Sequence, residues 1–374
     1  MKIGIESQRI FRSHKHGMDV VAVELISRLQ QLDTENQYFL FARNGPDLTC
    51  VRETPNFQVR LIKGITYGDW EQISLPRALR KQRPDFIHCT ANTAPIRCPV
   101  PLIVTLHDII FLRETNFAGT AYQNFGNIYR RFIVPYAIRN ARKIITVSEE
   151  ERKIIIDACD VDPSKMEVVH NAVHERFLQV HGDDTLNLFR KKYRLPSAYI
   201  LHLGNTAPKK NTPSLVRAYV AYVQQTNDAL PLVIADYPER LVRKLLHPSE
   251  SNILEKQIIF TGYVPALEMP LLYAAATLFI YPSLAESFGL PVLESMASGT
   301  PVITSDIGAL KEVGGDAAMY TDPKSEQSIT AAITHALSHP EVYNRLKQAG
   351  YLRARKFSWT KSAEKLLSIY NRMK

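Results

Sequence analysis

Two hydrophobic periods alternate along the chain. Short apolar runs are separated by longer stretches in which apolar residues recur every third or fourth position. The first run, Lys2–Glu6, is followed by Val21, Ala22, Leu25, Ile26, Leu29 and Leu32, which share one face of a helix predicted from Met18 to Leu32. Further strands are predicted at Tyr38–Phe41, Phe57–Leu61, Phe86–Cys89, Leu102–Leu106, Lys143–Val147 and Met166–Val169. Runs such as Ile103-Val104 and Ile144-Ile145-Thr146-Val147 lack polar alternation, which suits strands covered on both faces. The pattern lapses between Asn171 and Pro196, and His181-Gly182-Asp183-Asp184, its most polar point, is the expected linker. It restarts at Tyr199–Leu203 and continues through Leu232–Ala235, Gln257–Thr261, Thr277–Tyr281, Pro301–Thr304 and Ala318–Tyr320.

Strand–helix alternation on both sides of a linker predicts an α/β protein with two doubly wound Rossmann-like domains facing a cleft. The expected division is 1–178 and 179–358, with a last helix at 359–374 packing back on the first domain. Ligands of open parallel sheets bind beyond the carboxyl ends of the strands, so the cleft is the expected site.

Composition narrows the class. At 374 residues, with 45% hydrophobic and 22% charged, the chain has the balance of a globular protein, which excludes wholesale disorder. No run approaches the ~18 apolar residues of a membrane span. Met1–Glu6 reads as a first strand and not as a secretory leader. Cys50, Cys89, Cys98 and Cys159 form no C-x-x-C pair, so neither zinc nor a disulfide framework is expected, and a reducing cytoplasm is. The net charge of +9 divides into +4 over residues 1–180 and +5 beyond. So even a spread argues against nucleic acid and fits an anionic small ligand or weak attraction to an anionic membrane face.

The chemistry concentrates in Tyr281–Pro301, which reads strand, loop, helix, stop, strand. Gly289 frees the loop backbone, Pro291 suits a first helical turn, and Gly299 fits the helix stop. A helix starting near Leu290 points its unpaired N–H groups at an anion, with phosphate the obvious guest. Glu294, one turn in, reaches back beside that phosphate. Two anions repel, so Glu294 is suited to accepting hydrogen bonds from neutral hydroxyls such as a ribose. Glu286 faces the other side. Acceptors straddling a phosphate imply a nucleoside-diphosphate sugar. Asp160-Val161-Asp162 matches a metal-binding D-x-D pattern, but beside Pro163 it reads as a turn, and no metal ligand is expected.

Tyr281–Pro301 resembles the donor-site signature of the retaining GT-B glycosyltransferases of group 1 (family four). Phe260-Thr261-Gly262-Tyr263-Val264-Pro265 resembles the family's segment near the nucleobase. Leu203-Gly204-Asn205-Thr206-Ala207-Pro208-Lys209-Lys210-Asn211 resembles its phosphate loop. Thr105-Leu106-His107-Asp108, Thr146-Val147-Ser148-Glu149 and Phe357-Ser358-Trp359 resemble further landmarks. The resemblance implies that Glu294 binds the ribose, that Glu286 accepts from a sugar hydroxyl, and that the backbone of Ser287, Phe288, Gly289 and Leu290 contacts sugar and phosphate. It implies that Tyr263 and Val264 lie at the nucleobase and that Lys210 pairs with the diphosphate. Asn205 stands where the family commonly has arginine, and Lys209 is the candidate replacement cation. His107 is implied to line the donor-sugar pocket, with Asp108 orienting it or touching the acceptor. Gly17 is implied to let backbone approach the phosphate. Arg9, Arg12, His14, Lys15 and His16 form a basic loop that suits an anionic acceptor.

The implied reaction is metal-independent transfer of a hexose, with retention, from a GDP- or UDP-linked donor to a saccharide or lipid-linked glycan. No further cofactor is expected. Thr105–Asp108 and Pro208–Asn211 look most like the mannosyltransferase branch, and the implied place is the cytoplasm at the inner membrane face. The alternatives are a sugar-nucleotide epimerase, a phosphorylase, or a catalytically weak sugar-nucleotide-binding partner subunit.

Overall fold

Every apolar run singled out above becomes a strand, with bounds within one residue of those expected. In the computed structural model, residues 1–13, 15, 17–113 and 121–373 are described. One sheet is ordered β3-β2-β1-β4-β5-β6-β7 and the other β10-β9-β8-β11-β12-β13. In the first, β1 is Lys2–Glu6, β2 Gln37–Ala42, β3 Phe57–Leu61, β4 Phe86–Cys89, β5 Leu102–Leu106, β6 Lys143–Thr146 and β7 Met166–Val168. In the second, β8 is Ile200–Leu203, β9 Leu232–Ala235, β10 Ile258–Gly262, β11 Leu278–Tyr281, β12 Val302–Ser305 and β13 Met319–Thr321. Both sheets are parallel, and winding reverses between β1 and β4 and between β8 and β11, the doubly wound arrangement. Every residue of β5 is buried, as an apolar run without alternation requires.

The chain divides into two units, Met1–Asn171 with Trp359–Lys374, and Ala172–Ser358. The division falls at Asn171/Ala172, a few residues before the position read from the sequence. His181–Asp184 is not a linker. Asp183 and Asp184 occupy the first turn of the helix Asp183–Tyr193, after Gly182 as N-cap. Acidic residues there favour the helix N-terminus, and the same polarity imitates a loop.

In the first unit, the helix Trp359–Asn371 packs beside Gly17–Leu32. Leu366, Ile369 and Tyr370 share a core with Ala22, Ile26 and Leu29. The Tyr370 hydroxyl lies 2.6 Å from Nδ1 of the buried His88, whose Nε2 is 2.7 Å from Thr105 Oγ1. The opposite face of the sheet is covered by Leu75–Gln82, Ala121–Asn140 and Glu149–Cys159, through residues such as Leu79, Val134 and Ile155.

The second unit is tied at its switch point by His202. Its Nδ1 lies 3.0 Å from the Ile280 carbonyl and its Nε2 3.0 Å from Thr212 Oγ1. Burial lowers its pKa from 6.5 to about 4. The unfolded chain takes up a proton near 6.5 and the folded chain only near 4, so acidification through that window favours unfolding. The stability advantage of the native chain over His202→Gln should therefore shrink by about 1.4 kcal/mol per pH unit within it. Urea denaturation of both at several pH values measures this, and a difference independent of pH would refute it.

Candidate active site

The carboxyl ends of β8 and β11 bring together residues far apart in sequence. β8 runs into a loop that closes with the turn Pro208–Lys210 before the helix Thr212–Gln225. The Lys210 ammonium lies 2.5 Å from Glu286 Oε1, contacts the Tyr281 hydroxyl, and sits 5.0 Å from the centre of the Tyr281 ring. Tyr281 donates to the same carboxylate oxygen at 2.8 Å, and Ser283 Oγ donates at 2.9 Å. The side chains of Lys210 and Glu286 are only 20% and 11% exposed. Burial alone would raise the pKa of Glu286, yet Lys210, Lys209 and the Tyr281 hydroxyl hold it below the usual carboxylate value.

The sequence sets Lys210 and Glu286 against different parts of a ligand, whereas in the structure each neutralises the other. Local sequence does not assign Tyr281 and Ser283 to this cluster. The signal was present, since an aromatic hydroxyl closes the apolar strand β11 directly before Pro282.

The loops are stitched by side chains whose roles propensity cannot show. Asn211 adopts φ 58° and donates to the carbonyls of Pro282 at 3.0 Å and Pro323 at 2.6 Å. The Lys209 carbonyl accepts from Leu284 N–H at 2.7 Å and lies 2.8 Å from Ser283 Oγ, whose single proton is shared between this carbonyl and Glu286. Asn205 is exposed, and its Oδ1 accepts from Ala207 N–H at 2.8 Å, so it closes its own turn.

The helix after the loop is Leu290–Ala297, with Gly289 as N-cap at φ 108° and Gly299 beyond its end at φ 79°. Phe288 is buried and packs edge-on against Phe357, 5.8 Å between ring centres. Ser287 precedes it in the same loop, partly exposed. Glu294 is half-buried and accepts from the Tyr273 hydroxyl at 3.0 Å. Burial raises its pKa, against the opposing pull of Tyr273 and Arg176. Tyr273 lies in a separate helix, Met269–Ala274, and nothing in its local sequence marks this contact. After β10, Val264 is buried while the Tyr263 ring is 68% exposed.

In the first unit, His107 follows β5 and is buried. Its N–H donates to Asn92 Oδ1 at 2.7 Å, and its Nε2 lies 2.9 Å from the Thr90 carbonyl. Burial lowers its pKa, with Asp108 pulling the other way. The Asp108 carboxylate accepts from Ile110 N–H at 3.3 Å. Gly17 opens the helix Gly17–Leu32, and a Cβ placed on it would meet nothing within 4 Å. The basic loop is less available than its composition suggests, because Arg9 pairs with Asp19 at 3.2 Å and Lys15 with Asp47. His14 and His16 lie outside the described residues. Asp160, at φ 50°, ends the helix Glu149–Cys159, and Asp162 Oδ1 accepts from Ser164 N–H at 2.9 Å, so the D-x-D pattern is a turn.

Residues 186–353 match the family described as glycosyl transferases group 1, and residues 16–177 match glycosyltransferase family 4. The chain belongs to these glycosyltransferases. Among its relatives, the O-antigen chain mannosyltransferase B of Escherichia coli is 31% identical over 234 residues, covering 63% of this chain and 61% of that protein. The serotype-specific mannosyltransferase WbdA of Escherichia coli is 29% identical over 280 residues, covering 74% of this chain and 34% of that protein. The chain thus spans less than two thirds of the length of either relative. A glycosyltransferase from Rickettsia africae superposes with a TM-score of 0.73 at 16% identity, covering 100% of this chain and 98% of that one. Anabaena Alr3699/HepE, solved with UDP and glucose, superposes with a TM-score of 0.73 at 17% identity, with full coverage of both chains. At such identities the superpositions show the fold, which is GT-B. In this family member the two parallel-sheet units are its two Rossmann-like domains.

The two loop glycines differ in what they require. A Cβ on Gly289 would lie 2.5 Å from Leu310 Cδ2, while one on Gly299 would meet nothing within 4 Å. Both adopt left-handed φ. Gly299→Ala should therefore destabilise by about 1 kcal/mol from backbone strain alone, and Gly289→Ala by about 3 kcal/mol from strain plus overpacking. Equal losses in denaturant titrations would show that the contact with Leu310 is relieved freely.

Proposed function

We propose that this chain is a retaining, metal-independent hexosyltransferase that moves mannose from GDP-mannose to a hydroxyl of a saccharide or lipid-linked glycan. The mannosyltransferase relatives support the choice of sugar. The observation that carries the donor site is the buried Lys210–Glu286 pair beside the Gly289 loop.

A buried ammonium is stabilised by whichever anion reaches it. In this structure that anion is Glu286. A diphosphate seated at the start of the helix Leu290–Ala297 competes for Lys210 and frees Glu286 to accept from a hydroxyl of the donor sugar. Glu294, kept from other anions by burial and ordered by Tyr273, accepts from the ribose. Tyr263 and Val264 flank the base.

In the transfer step the bond between the anomeric carbon and the β-phosphate oxygen breaks, and its electron pair goes to that oxygen. The acceptor oxygen bonds to the anomeric carbon on the same face. Its proton passes to the departing phosphate oxygen. Lys210 and the helix amides stabilise the charge that grows there. The reaction is assigned to the cytoplasm at the inner membrane face, where lipid-linked acceptors are presented.

Lys210→Ala should lower turnover of GDP-mannose by about a hundredfold or more at saturating donor, the scale of a lost oxyanion contact. Glu294→Gln should weaken GDP binding about tenfold in calorimetric titration. Activity should persist in EDTA. Unchanged turnover and affinity in Lys210→Ala, or activity abolished by EDTA, would overturn the assignment.

A further inference from the structure

We propose that the Asp236 carboxylate reads the base of the donor nucleotide and selects guanine. This role rests on the seating of a diphosphate at Lys210 described above.

Asp236 directly follows β9, is exposed, and adopts φ 55°. Left-handed backbone is costly for a residue with a side chain, and it concentrates where a side chain is aimed for a task. The other described non-glycine residues with such a φ have evident roles. Arg83, Asp160 and Arg194 end helices. Asn92 and Asn211 tie segments together through their side-chain amides. Asp236 ends no helix, and among the described residues its carboxylate has no hydrogen-bond or ionic partner.

The turn that carries it is held from both sides. The Asp236 N–H donates to the Gly262 carbonyl at 3.0 Å. The next residue, Tyr237, is buried against Gly204, where a Cβ would lie 2.4 Å from the Tyr237 Cβ. β10 shifts register between Phe260 and Gly262, and Gly262 is left-handed too, at φ 66°. A Cβ on Gly262 would meet nothing within 4 Å, so the space there is open. Tyr263 follows with its ring 68% exposed. A fixed turn with an unpaired carboxylate, open space and a free aromatic face are the parts of a site for a flat ring that carries N–H donors.

The position fits the donor. Lys210 lies in the loop after β8, Asp236 follows β9 and Tyr263 follows β10, and these strands are adjacent and parallel. From β8 to β10 is two strand spacings, about 10 Å, the reach of a ribose and a base. A nucleotide with its diphosphate at Lys210 and its base at Tyr263 passes the end of β9, where Asp236 stands.

An ionised carboxylate only accepts hydrogen bonds. Guanine presents two adjacent donors on its pairing edge, N1–H and N2–H, which match the two oxygens of one carboxylate. Adenine and cytosine set a ring-nitrogen lone pair beside their amino group. Uracil flanks its single N–H with two carbonyl oxygens. The group that holds guanine therefore repels the other three.

Calorimetric titration of the full-length chain with nucleoside diphosphates is the test. GDP should bind about a hundredfold more tightly than UDP or ADP. Inosine diphosphate, which lacks the amino group, should bind about tenfold more weakly than GDP. Asp236→Asn replaces one acceptor oxygen with an amide donor. It should weaken GDP by about a hundredfold and make xanthosine diphosphate, which has a carbonyl oxygen at C2, the preferred ligand. Thermal melting checks that the variant folds. GDP and UDP bound alike by the native chain, or GDP bound alike by the native chain and Asp236→Asn, overturns the role of Asp236. Loss of GDP affinity with no gain for xanthosine diphosphate marks a structural role and also overturns it. If nucleotide binding in any of these cases is still abolished by Lys210→Ala, the diphosphate seat stands and only the base reading falls. No binding of any nucleotide overturns both.

Discussion

Parallel pairing is the constraint on which both units depend. A parallel strand cannot be joined to its neighbour by a tight turn, so each connection must cross the sheet and return. All carboxyl ends then open on one edge and all amino ends on the other. That is why Lys210, after β8, and Glu286, after β11, meet although 76 residues separate them. The same rule sets His107, after β5, beside Thr90, after β4. The strands are short, four or five residues in most cases, and the central ones are buried on both faces, so they hold the edges rigidly while the loops carry the chemistry.

Within the second unit, environment separates two carboxylates that composition makes identical. Glu286 lies against an ammonium and two hydroxyl donors and is held ionised. Glu294 has the Tyr273 hydroxyl as its hydrogen-bond donor, and burial pushes it toward the protonated form. The first is built to balance a full charge, the second to meet hydroxyls. A buried ion pair contributes little net stability once desolvation is counted, so Lys210–Glu286 is better understood as a balanced charge at the strand ends than as a source of stability.

Much of this was legible in the sequence, for reasons that mark its limit. The strands were legible because burial on both faces leaves an apolar run that nothing else at that length produces. Gly289 and Gly299 were legible because left-handed backbone at a helix boundary favours glycine. The polar run His181–Asp184 is ambiguous in sequence because a helix N-terminus and a linker both favour short acidic residues. The partners of the site side chains were not legible. Lys210 reaches Glu286 through two crossovers, Tyr273 reaches Glu294 from another helix, and Arg9 and Lys15 are neutralised by Asp19 and Asp47. Each of these is a tertiary contact, which local propensity does not encode.

Charge shows the same limit in a different form. Averaged over residues 1–180 the excess is +4, and nothing stands out. Between Gln72 and Ser148 it is +8, while residues 1–71 are balanced and residues 149–180 are net acidic by four. The scale that matters is set by screening, not by chain length. Exposed charges act together within about one Debye length, ~8–10 Å in physiological salt. Three adjacent strands span about 10 Å across the hydrogen-bonding direction, so the turns feeding β4, β5 and β6 fall inside that distance. In sequence these turns are spread over some sixty residues, from Arg80 to Arg142. The sheet folds a dilute excess into one edge, and the field at that edge belongs to the topology as much as to the composition.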